Sequence, residues 1–258
     1  MTRRKVVELQ HVTMRYHSLD GETEAIRDVS LTVDEGEFIG IVGPSGCGKS
    51  TILSLIAGLI YPTSGKVYVN GNEVVGPSTK VGYMLQNDHL FEWRNIFQNV
   101  MLGLEIQKKV TVESIKKVEY LLDTYGLGDF KKHYPNQLSG GMRQRVALIR
   151  TLAIEPDILL LDEPFSALDY QTRLAVSDEV GTIIKKEKKT ALLVTHDISE
   201  AISMSDKVVV LSQRPATIKN IYPIRLTCDE HTPINCRKAP EFREYFNAIW
   251  RELDVHVI

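Results

Sequence analysis

One nine-residue segment limits what this chain can fold into more than any other feature. It reads Gly43-Pro44-Ser45-Gly46-Cys47-Gly48-Lys49-Ser50-Thr51, which matches the pattern GxxxxGK[ST]. The apolar run before it predicts a buried strand over residues 38–42, and the apolar spacing after it predicts a helix over residues 50–59. A strand that turns through glycines into a helix directs backbone N–H groups at one point, so we predict a phosphate-binding loop.

The polar residues of this loop have distinct predicted roles. Lys49 is expected against the β- and γ-phosphates, Ser50 as a ligand of Mg²⁺, and Thr51 as a further hydroxyl contact to the phosphates. Cys47 leaves two interpretations open. A thiol near a helix N-terminus and a lysine can have a lowered pKa, so that its alkylation would block nucleotide binding; alternatively, Cys47 is a small residue that fits the loop.

A second predicted strand ends in two carboxylates. Residues 158–161 are all apolar, and Asp162 and Glu163 follow directly. Because ligands bind at the carboxyl edge of a parallel sheet, we expect Asp162 to hold the hydration shell of Mg²⁺ and Glu163 to orient the attacking water. Acidic residues after a strand are common, so this prediction depends on the phosphate-binding loop that precedes it.

A second anion-binding turn is predicted in Leu138-Ser139-Gly140-Gly141-Met142-Arg143-Gln144-Arg145. It combines a serine that can cap a helix with two glycines at the start of that helix. One fold seldom needs two phosphate cradles for one nucleotide. A two-fold dimer removes the difficulty, because Ser139, Gly140 and Gly141 of each copy would then face the nucleotide of the other copy.

The rest of the chain alternates strand-like and helical segments, which indicates an α/β fold. We predict a P-loop NTPase core with a mainly parallel sheet, an antiparallel β-subdomain and a helical subdomain that carries the Ser139 turn. The predicted domains are residues 1–225, with the helical subdomain at about 88–156, and a C-terminal extension, 226–258, with an amphipathic helix. The segments on which this rests are strands at 6–14, 25–33, 158–161, 191–194 and 207–211, a hairpin at 67–75, and helices at 95–134 and 142–154.

Composition and charge exclude several classes of protein. A formal net charge of −2 gives no long-range attraction to phosphate backbones, so we expect no nucleic-acid partner. No apolar run reaches the length of about 18 residues that a membrane span requires, so any membrane part must come from another chain. Cys228, His231 and Cys236 are close in sequence but lack paired CxxC spacing, which favours a surface loop over a zinc site.

The phosphate-binding loop, the acidic pair and the Ser139 turn together resemble the nucleotide-binding subunits of ABC transporters over most of the chain. The resemblance implies ATP and Mg²⁺ as cofactors, and a catalytic group made of Lys49, Gln86, Glu163 and His196. In that family Gln86 would sense Mg²⁺ and the attacking water, and His196 would contact the γ-phosphate. Tyr16 would stack on adenine and Asp169, in Ser166-Ala167-Leu168-Asp169, would lie at the dimer interface.

Each of these assignments has a plainer alternative. Tyr16 could be an ordinary strand residue, Gln86 an ordinary loop amide, and His196 a histidine at a strand end. The segment 89–93 is expected to receive a short helix from the membrane subunit, but its Phe91 and Trp93 could instead pack inside the helical subdomain. Ile149 and Thr151 depart from the family, which often has alanine at these positions.

Within the family, a separate ATPase subunit resembles those of bacterial importers, peripheral at the cytoplasmic face of the membrane. Residues 86–94, 162–169 and 213–216, with the tail 242–253, resemble the nitrate, sulfonate and taurine uptake subfamily. The implied partners are a second copy of the chain, permease subunits and, indirectly, a solute-binding protein. Related members carry vitamin or pyrimidine precursors, and an exporter ATPase or an assembly ATPase remains an alternative.

Overall fold

A computed structural model describes residues 4–18, 21–166, 168–228 and 232–253. Ala167, His231 and residues 254–258, which belong to segments discussed above, lie outside these ranges. The chain divides into two compact units, Met1–Ser78 with Gly181–Ile258 and Thr79–Val180. The strands are β1 (Lys5–Ser18), β2 (Gly21–Asp34), β3 (Phe38–Val42), β4 (Ser64–Val69), β5 (Asn72–Glu73), β6 (Val81–Met84), β7 (Ile158–Asp162), β8 (Thr190–Val194), β9 (Lys207–Leu211) and β10 (Ile218–Pro223). The helices are α1 (Lys49–Ile56), α2 (Ile96–Ile106), α3 (Val112–Thr124), α4 (Gly140–Ala153), α5 (Tyr170–Lys186), α6 (Ile198–Met204), α7 (Pro233–Cys236) and α8 (Phe242–Leu253).

The first unit contains two groups of strands. An antiparallel sheet has the order β2-β1-β4-β5, while β3 pairs in parallel with both β8 and β9, and β10 pairs antiparallel with β9. Every residue of β3 and of β8 is buried, as expected for parallel strands with apolar side chains on both faces. The predicted combination of a parallel core and an antiparallel β-subdomain is thus confirmed.

The second unit contains one parallel strand pair and a group of helices. β6 pairs in parallel with β7, and α2, α3 and α4 enclose an apolar core. Side-chain caps at Asn95, Thr111 and Ser139 start these three helices by accepting hydrogen bonds from the first-turn N–H groups. The caps fix where each helix begins, and therefore where the Ser139 turn lies.

The C-terminal extension packs on the first unit. The apolar side chains of α8 lie against a buried cluster, which confirms the predicted amphipathic helix: Phe242, Tyr245, Phe246, Ile249 and Leu253. The expectation of a plain surface loop near Cys236 is wrong, because this residue is 2% exposed and ends α7. In the described part of the chain, no helix has both the length and the apolar character that crossing a bilayer requires.

Candidate functional site

The phosphate-binding loop leaves the carboxyl end of β3 with the backbone conformation its glycines permit. Gly46 and Gly48 have φ values of +70° and +127°, which residues with a side chain rarely adopt. Gly43 has an ordinary φ, but a Cβ there would lie 2.9 Å from the Cys47 sulfur and 3.1 Å from the Leu211 Cβ. Glycine is therefore needed at Gly43 for space and at the other two for conformation.

The Lys49 side chain is held inside the curve of this loop. Its ammonium group donates hydrogen bonds to the carbonyl oxygens of Gly43 (2.9 Å) and Pro44 (3.0 Å), and the residue is only 6% exposed. Ser45 and Ser50, by contrast, are exposed at the loop surface. The charge is thus held within the loop, whereas the two serine residues are exposed.

Tyr16 lies beside the end of the same loop. Its phenol oxygen is 3.3 Å from the Thr51 hydroxyl oxygen, and the side chain on β1 remains 41% exposed. A strand residue that served packing alone would be expected to bury its ring. The position therefore fits an aromatic surface available to a ligand bound at the loop.

His196 follows β8 at the sheet edge from which the loop also departs. Ile41 of β3 pairs with Val194 of β8, and the Thr195 N–H donates to the Ile41 carbonyl at 3.2 Å. His196 is exposed, and the next residue, Asp197, caps α6. The structure thus brings this histidine and the phosphate-binding loop to one edge of the same strands.

Cys47 does not have the environment of a reactive thiol. Its side chain is 1% exposed, and burial raises the pKa of the Cys47 thiol, although the neighbouring Lys49 charge partly opposes the shift. The expectation of a lowered pKa is wrong, because loss of solvent outweighs attraction to the lysine. The second interpretation, a small residue that fits the loop, agrees with the structure.

In the second unit, Gln86 and Glu163 meet beyond the ends of the paired strands β6 and β7. The Gln86 amide donates to a Glu163 carboxylate oxygen at 3.3 Å and to the Ser166 hydroxyl at 3.4 Å. The Ser166 hydroxyl donates to the Glu163 backbone carbonyl at 3.0 Å. Glu163 has a φ of +45°, a strained conformation of the kind that concentrates at functional sites.

Asp162, the other member of the acidic pair, has a partner that the sequence did not reveal. The Tyr83 phenol donates a hydrogen bond to Oδ2 of the Asp162 carboxylate at 3.1 Å. Asp162 is 7% exposed, so this bond forms where few water molecules compete. An aromatic residue three positions before Gln86, in a strand parallel to β7, is the signal that could have predicted it.

The two glycines of the Ser139 turn differ in their surroundings. The Ser139 hydroxyl caps α4 by accepting from the Met142 N–H at 3.3 Å. A Cβ on Gly141 would lie 3.0 Å from Thr172 Cγ2, within the packing of α4 on α5. Of the residues that the structure describes, one on Gly140 would meet only Leu168 Cδ2, at an ordinary 3.4 Å. Gly141 is thus required for packing within the chain, whereas the described surroundings of Gly140 leave room for a side chain.

Asp169 lies just before α5 and is fully exposed. Its carboxylate accepts hydrogen bonds from the N–H groups of Gln171 and Thr172, both at 3.1 Å. Hydrogen bonds from the Thr172 side chain and then its backbone lower the pKa of the Asp169 carboxyl. The residue therefore carries a negative charge at an exposed helix end.

The segment of residues 88–94, called the docking segment below, is tied to α4 and α2. On α4, Arg143 pairs with the Asp88 carboxylate at 3.0 Å, and Arg150 donates to the backbone carbonyls of Asp88 (2.6 Å) and His89 (2.8 Å). On α2, the fully buried Asn99 exchanges hydrogen bonds with the backbone of Phe91. These contacts fix the backbone of the segment from two helices.

The docking segment also presents aromatic surface. Trp93 is 74% exposed, and its ring stacks on Phe91 with centroids 4.7 Å apart. The alternative that Trp93 packs inside the helical unit is therefore wrong. An exposed tryptophan on a firmly held backbone is typical of protein interfaces.

Comparisons with known proteins agree on one family. The family model described as ABC transporter matches residues 26–166. An uncharacterised ABC transporter ATP-binding protein of Bacillus subtilis, YtlC, is 48% identical over 96% of this chain and 95% of its own length. The nitrate import ATP-binding protein NrtD of Synechocystis is 42% identical (89% and 88% covered), and the taurine import ATP-binding protein TauB of Roseobacter denitrificans is 38% identical (95% and 94%). The dimeric post-hydrolysis structure of the ATP-binding cassette MJ0796 with ADP and Pi superposes with a TM-score of 0.73 at 32% identity, covering 85% of this chain and 99% of that one.

Proposed function

This chain belongs to the ABC transporter family, and from that premise we propose that it is the ATP-hydrolysing subunit of an importer, driving a separate permease. The observation that carries the proposal is the pair of anion-binding features described above. One is the loop around the buried Lys49 ammonium, and the other is the turn that begins at the exposed Ser139. One nucleotide occupies the loop around Lys49. The turn at Ser139 is then available to the nucleotide of a second copy of the chain.

ATP binds along residues 43–51, with its phosphates in the loop and its adenine on Tyr16. Supporting this are the exposed Tyr16 ring next to Thr51 and the fixed Lys49 ammonium. When phosphate oxygens enter the loop, the ammonium exchanges backbone carbonyls for charged acceptors, which form stronger hydrogen bonds. The loop therefore holds the Lys49 ammonium in position before the triphosphate binds.

Hydrolysis relies on residues at the strand ends. Glu163 accepts a proton from the attacking water, Gln86 holds the Glu163 carboxylate in position through its amide, and His196 donates a hydrogen bond to the γ-phosphate. The hydrogen bonds among Gln86, Glu163 and Ser166 support this arrangement, since they fix the base before the substrate arrives. A positioned base typically contributes about 10² to 10⁴ in rate.

The donor groups also fit Mg²⁺. The Ser50 hydroxyl, the Gln86 amide oxygen and the buried Asp162 carboxylate are all hard oxygen donors, the type that Mg²⁺ binds, and these residues would hold it directly or through water. When bound, the ion neutralises charge on the β- and γ-phosphates. Tyr83 orients the Asp162 carboxylate for this task.

The proposed transporter contains two copies of this chain and a permease. Ser139, Gly140 and Gly141 of one copy contact the γ-phosphate held by the other, with Asp169 at the interface, so the dimer closes on ATP and opens after hydrolysis. The docking segment receives a helix of the permease, which places the chain peripherally at the cytoplasmic face of the membrane. Names of the matched relatives support a small solute of the nitrate, sulfonate or taurine type. We expect a separate solute-binding protein to deliver it.

Glu163→Gln tests the proposal. Because the amide keeps the size of the side chain but cannot accept a proton, the variant should bind ATP normally. Its rate of ATP turnover should fall by a factor of about 10² to 10⁴. Closed dimer should accumulate with ATP and Mg²⁺, measured by size-exclusion chromatography alongside phosphate release. Glu119→Gln, at an exposed position on α3, is the matched control and should behave as the unmodified chain. Wild-type turnover by Glu163→Gln would remove Glu163 from the role of base.

A further inference from the structure

Two thiols that the ATP site does not use lie in contact within the C-terminal extension. Cys228 follows β10, Cys236 ends α7, and their sulfur atoms are 3.3 Å apart. Cys236 is 2% exposed, whereas Cys228 is partly exposed. We propose that this pair is a site of reversible oxidation. A low-molecular-weight disulfide such as oxidised glutathione would oxidise the two thiols to an intrachain disulfide.

The contact between the sulfur atoms makes the pair more than two separately packed cysteines. A disulfide requires a sulfur–sulfur distance of about 2.05 Å, so the Cys228 and Cys236 sulfurs need to approach by little more than 1 Å from their 3.3 Å separation. Burial as a small apolar side chain would account for Cys236 alone. It would not account for the partly exposed Cys228 side chain lying directly against it.

Hydrogen bonds hold the backbone that precedes each of the two cysteines. Before Cys228, the backbone N–H and the hydroxyl of Thr227 donate to the two carboxylate oxygens of Glu241, at 3.1 and 2.7 Å. Before Cys236, the Thr232 hydroxyl caps α7, and the Cys236 N–H donates to the Thr232 carbonyl at 2.9 Å. The two thiols are therefore kept near each other without a covalent link, which favours ring closure over reaction with a second molecule.

The difference in exposure sets the order of the chemistry. The Cys228 thiolate attacks one sulfur of oxidised glutathione, which forms a mixed disulfide and releases one glutathione. The Cys236 thiolate then attacks the Cys228 sulfur, which forms the intrachain bond and releases the second glutathione. Two electrons pass from the protein to the oxidant, and the two thiol protons end on the two released glutathione molecules.

The disulfide would stiffen the packing of α7 against α5 and α6. A Cβ on Gly181 of α5 would lie 2.8 Å from Pro233 on α7 and 3.5 Å from Met204 on α6, so these helices pack closely. Opening of α7 must break the hydrogen bonds of its last turn. A covalent link at Cys236 opposes that opening, so the backbone amides of α7 should exchange more slowly in the oxidised chain.

The test equilibrates the reduced, full-length protein with glutathione buffers of increasing oxidised fraction. Samples are quenched with acid, alkylated after unfolding and digested for peptide mass spectrometry. The expected result is that two of the three thiols of the chain are lost together, in a linked peptide that joins Cys228 and Cys236, while Cys47 stays alkylatable. Hydrogen exchange at the Cys236 and Arg237 amides should slow several-fold, with no change in α3.

Single substitutions test the order of events. Cys236→Ser should stop at the mixed disulfide of glutathione with Cys228, and Cys228→Ser should leave the buried Cys236 unmodified over the same range. A stable glutathione adduct as the end product in the unmodified chain, disulfide-linked dimers, or thiols that stay reduced throughout would each overturn the proposal. None of these measurements uses ATP turnover, so their failure is separate from any failure of the proposed ATPase mechanism.

Discussion

At the scale of single residues, the Asp162 carboxylate is oriented by a neighbour on the adjacent strand. Tyr83 and Asp162 lie on the parallel pair β6 and β7, and the hydrogen bond between their side chains is partly buried. Such a bond selects one rotamer of the carboxylate before any ion arrives. Partners of metal ligands commonly tune metal affinity in this way.

Tyr83→Phe should therefore raise the Mg²⁺ concentration needed for half-maximal ATP hydrolysis about 5- to 10-fold, while the chain stays folded. The substitution removes only the hydroxyl that holds Asp162. A direct measurement is the binding of Mn²⁺ with ATP, followed by electron paramagnetic resonance. Tyr120→Phe, on the exposed face of α3, is the control. A lower rate with an unchanged metal requirement would mean that Tyr83 acts on the fold alone.

The sequence predicted residues whose chemistry demands one residue type at a fixed spacing. Lys49, Glu163 and Ser139 belong to this class, and the loop that carries Lys49 lies between β3 and α1, where it was expected. Tyr83 and Cys47 do not, because their behaviour depends on what is packed around them. The Tyr83 hydroxyl gains its role from the position of Asp162, and the Cys47 thiol has a raised rather than a lowered pKa because it is buried.

At the scale of elements, α4 links the Ser139 turn to the docking segment. Arg143, one turn into the helix, donates both to the Leu138 carbonyl and to the Asp88 carboxylate, and Arg150, two turns later, holds the backbone after Gln86. These contacts tie the docking segment to the helix that Ser139 caps. A permease helix seated on this segment would act on the helix through these two arginines.

Trp93→Ala should weaken assembly with the permease and leave the isolated subunit as stable as before. The side chain is exposed and touches mainly Phe91, so little buried surface is lost within the chain, whereas buried aromatic anchors at interfaces often contribute at least about 2 kcal/mol. The measurements are co-purification from detergent-solubilised membranes and thermal unfolding of the subunit alone. Tyr120→Ala is the matched control. Unchanged assembly and transport would exclude docking through Trp93.

Two strands escaped prediction for reasons that lie in tertiary packing. β6 has a glycine at its second position, and a Cβ on Gly82 would lie 2.7 Å from Thr151 Cγ2 and 2.9 Å from Pro156 Cγ. Thr151 is one of the departures from the family pattern, and its methyl group fills the space next to Gly82. β10 is mostly exposed and polar, and it becomes a strand by pairing with the buried β9.

At the scale of the whole molecule, the proposed ATP hydrolysis site is complete only when a second copy of the chain is bound. Ser139 is exposed and caps its own helix, and among the described residues Gly140 has no contact close enough to require a glycine. An exposed capped helix start is a ready anion site. The composite arrangement makes a prediction about mixtures that a self-sufficient monomer could not satisfy.

Lys49→Ala and Ser139→Arg should each be inactive alone and active when mixed. In a mixed dimer, the intact loop of one copy meets the intact turn of the other, so an equal mixture should recover about a quarter of the wild-type rate. The readout is ATP turnover after the subunits exchange. Lys49→Ala mixed with Glu163→Gln is the control and should stay inactive, since both residues serve the nucleotide of their own copy. Mixed dimers without activity would contradict a shared centre.

The unequal surroundings of Gly140 and Gly141 have a genetic consequence. Damage from Gly141→Ala arises from crowding against Thr172 and Val176 in the same polypeptide, so a second-site revertant that shortens either side chain can restore it. Among the described residues, a methyl group on Gly140 would meet only Leu168 Cδ2, at an ordinary 3.4 Å, so there is little crowding within its own chain to relieve. If Gly140→Ala impairs turnover, its suppressors should therefore map to the surface that faces Gly140 in the proposed dimer. Two neighbouring glycines of one motif would then differ in where their suppressor mutations lie.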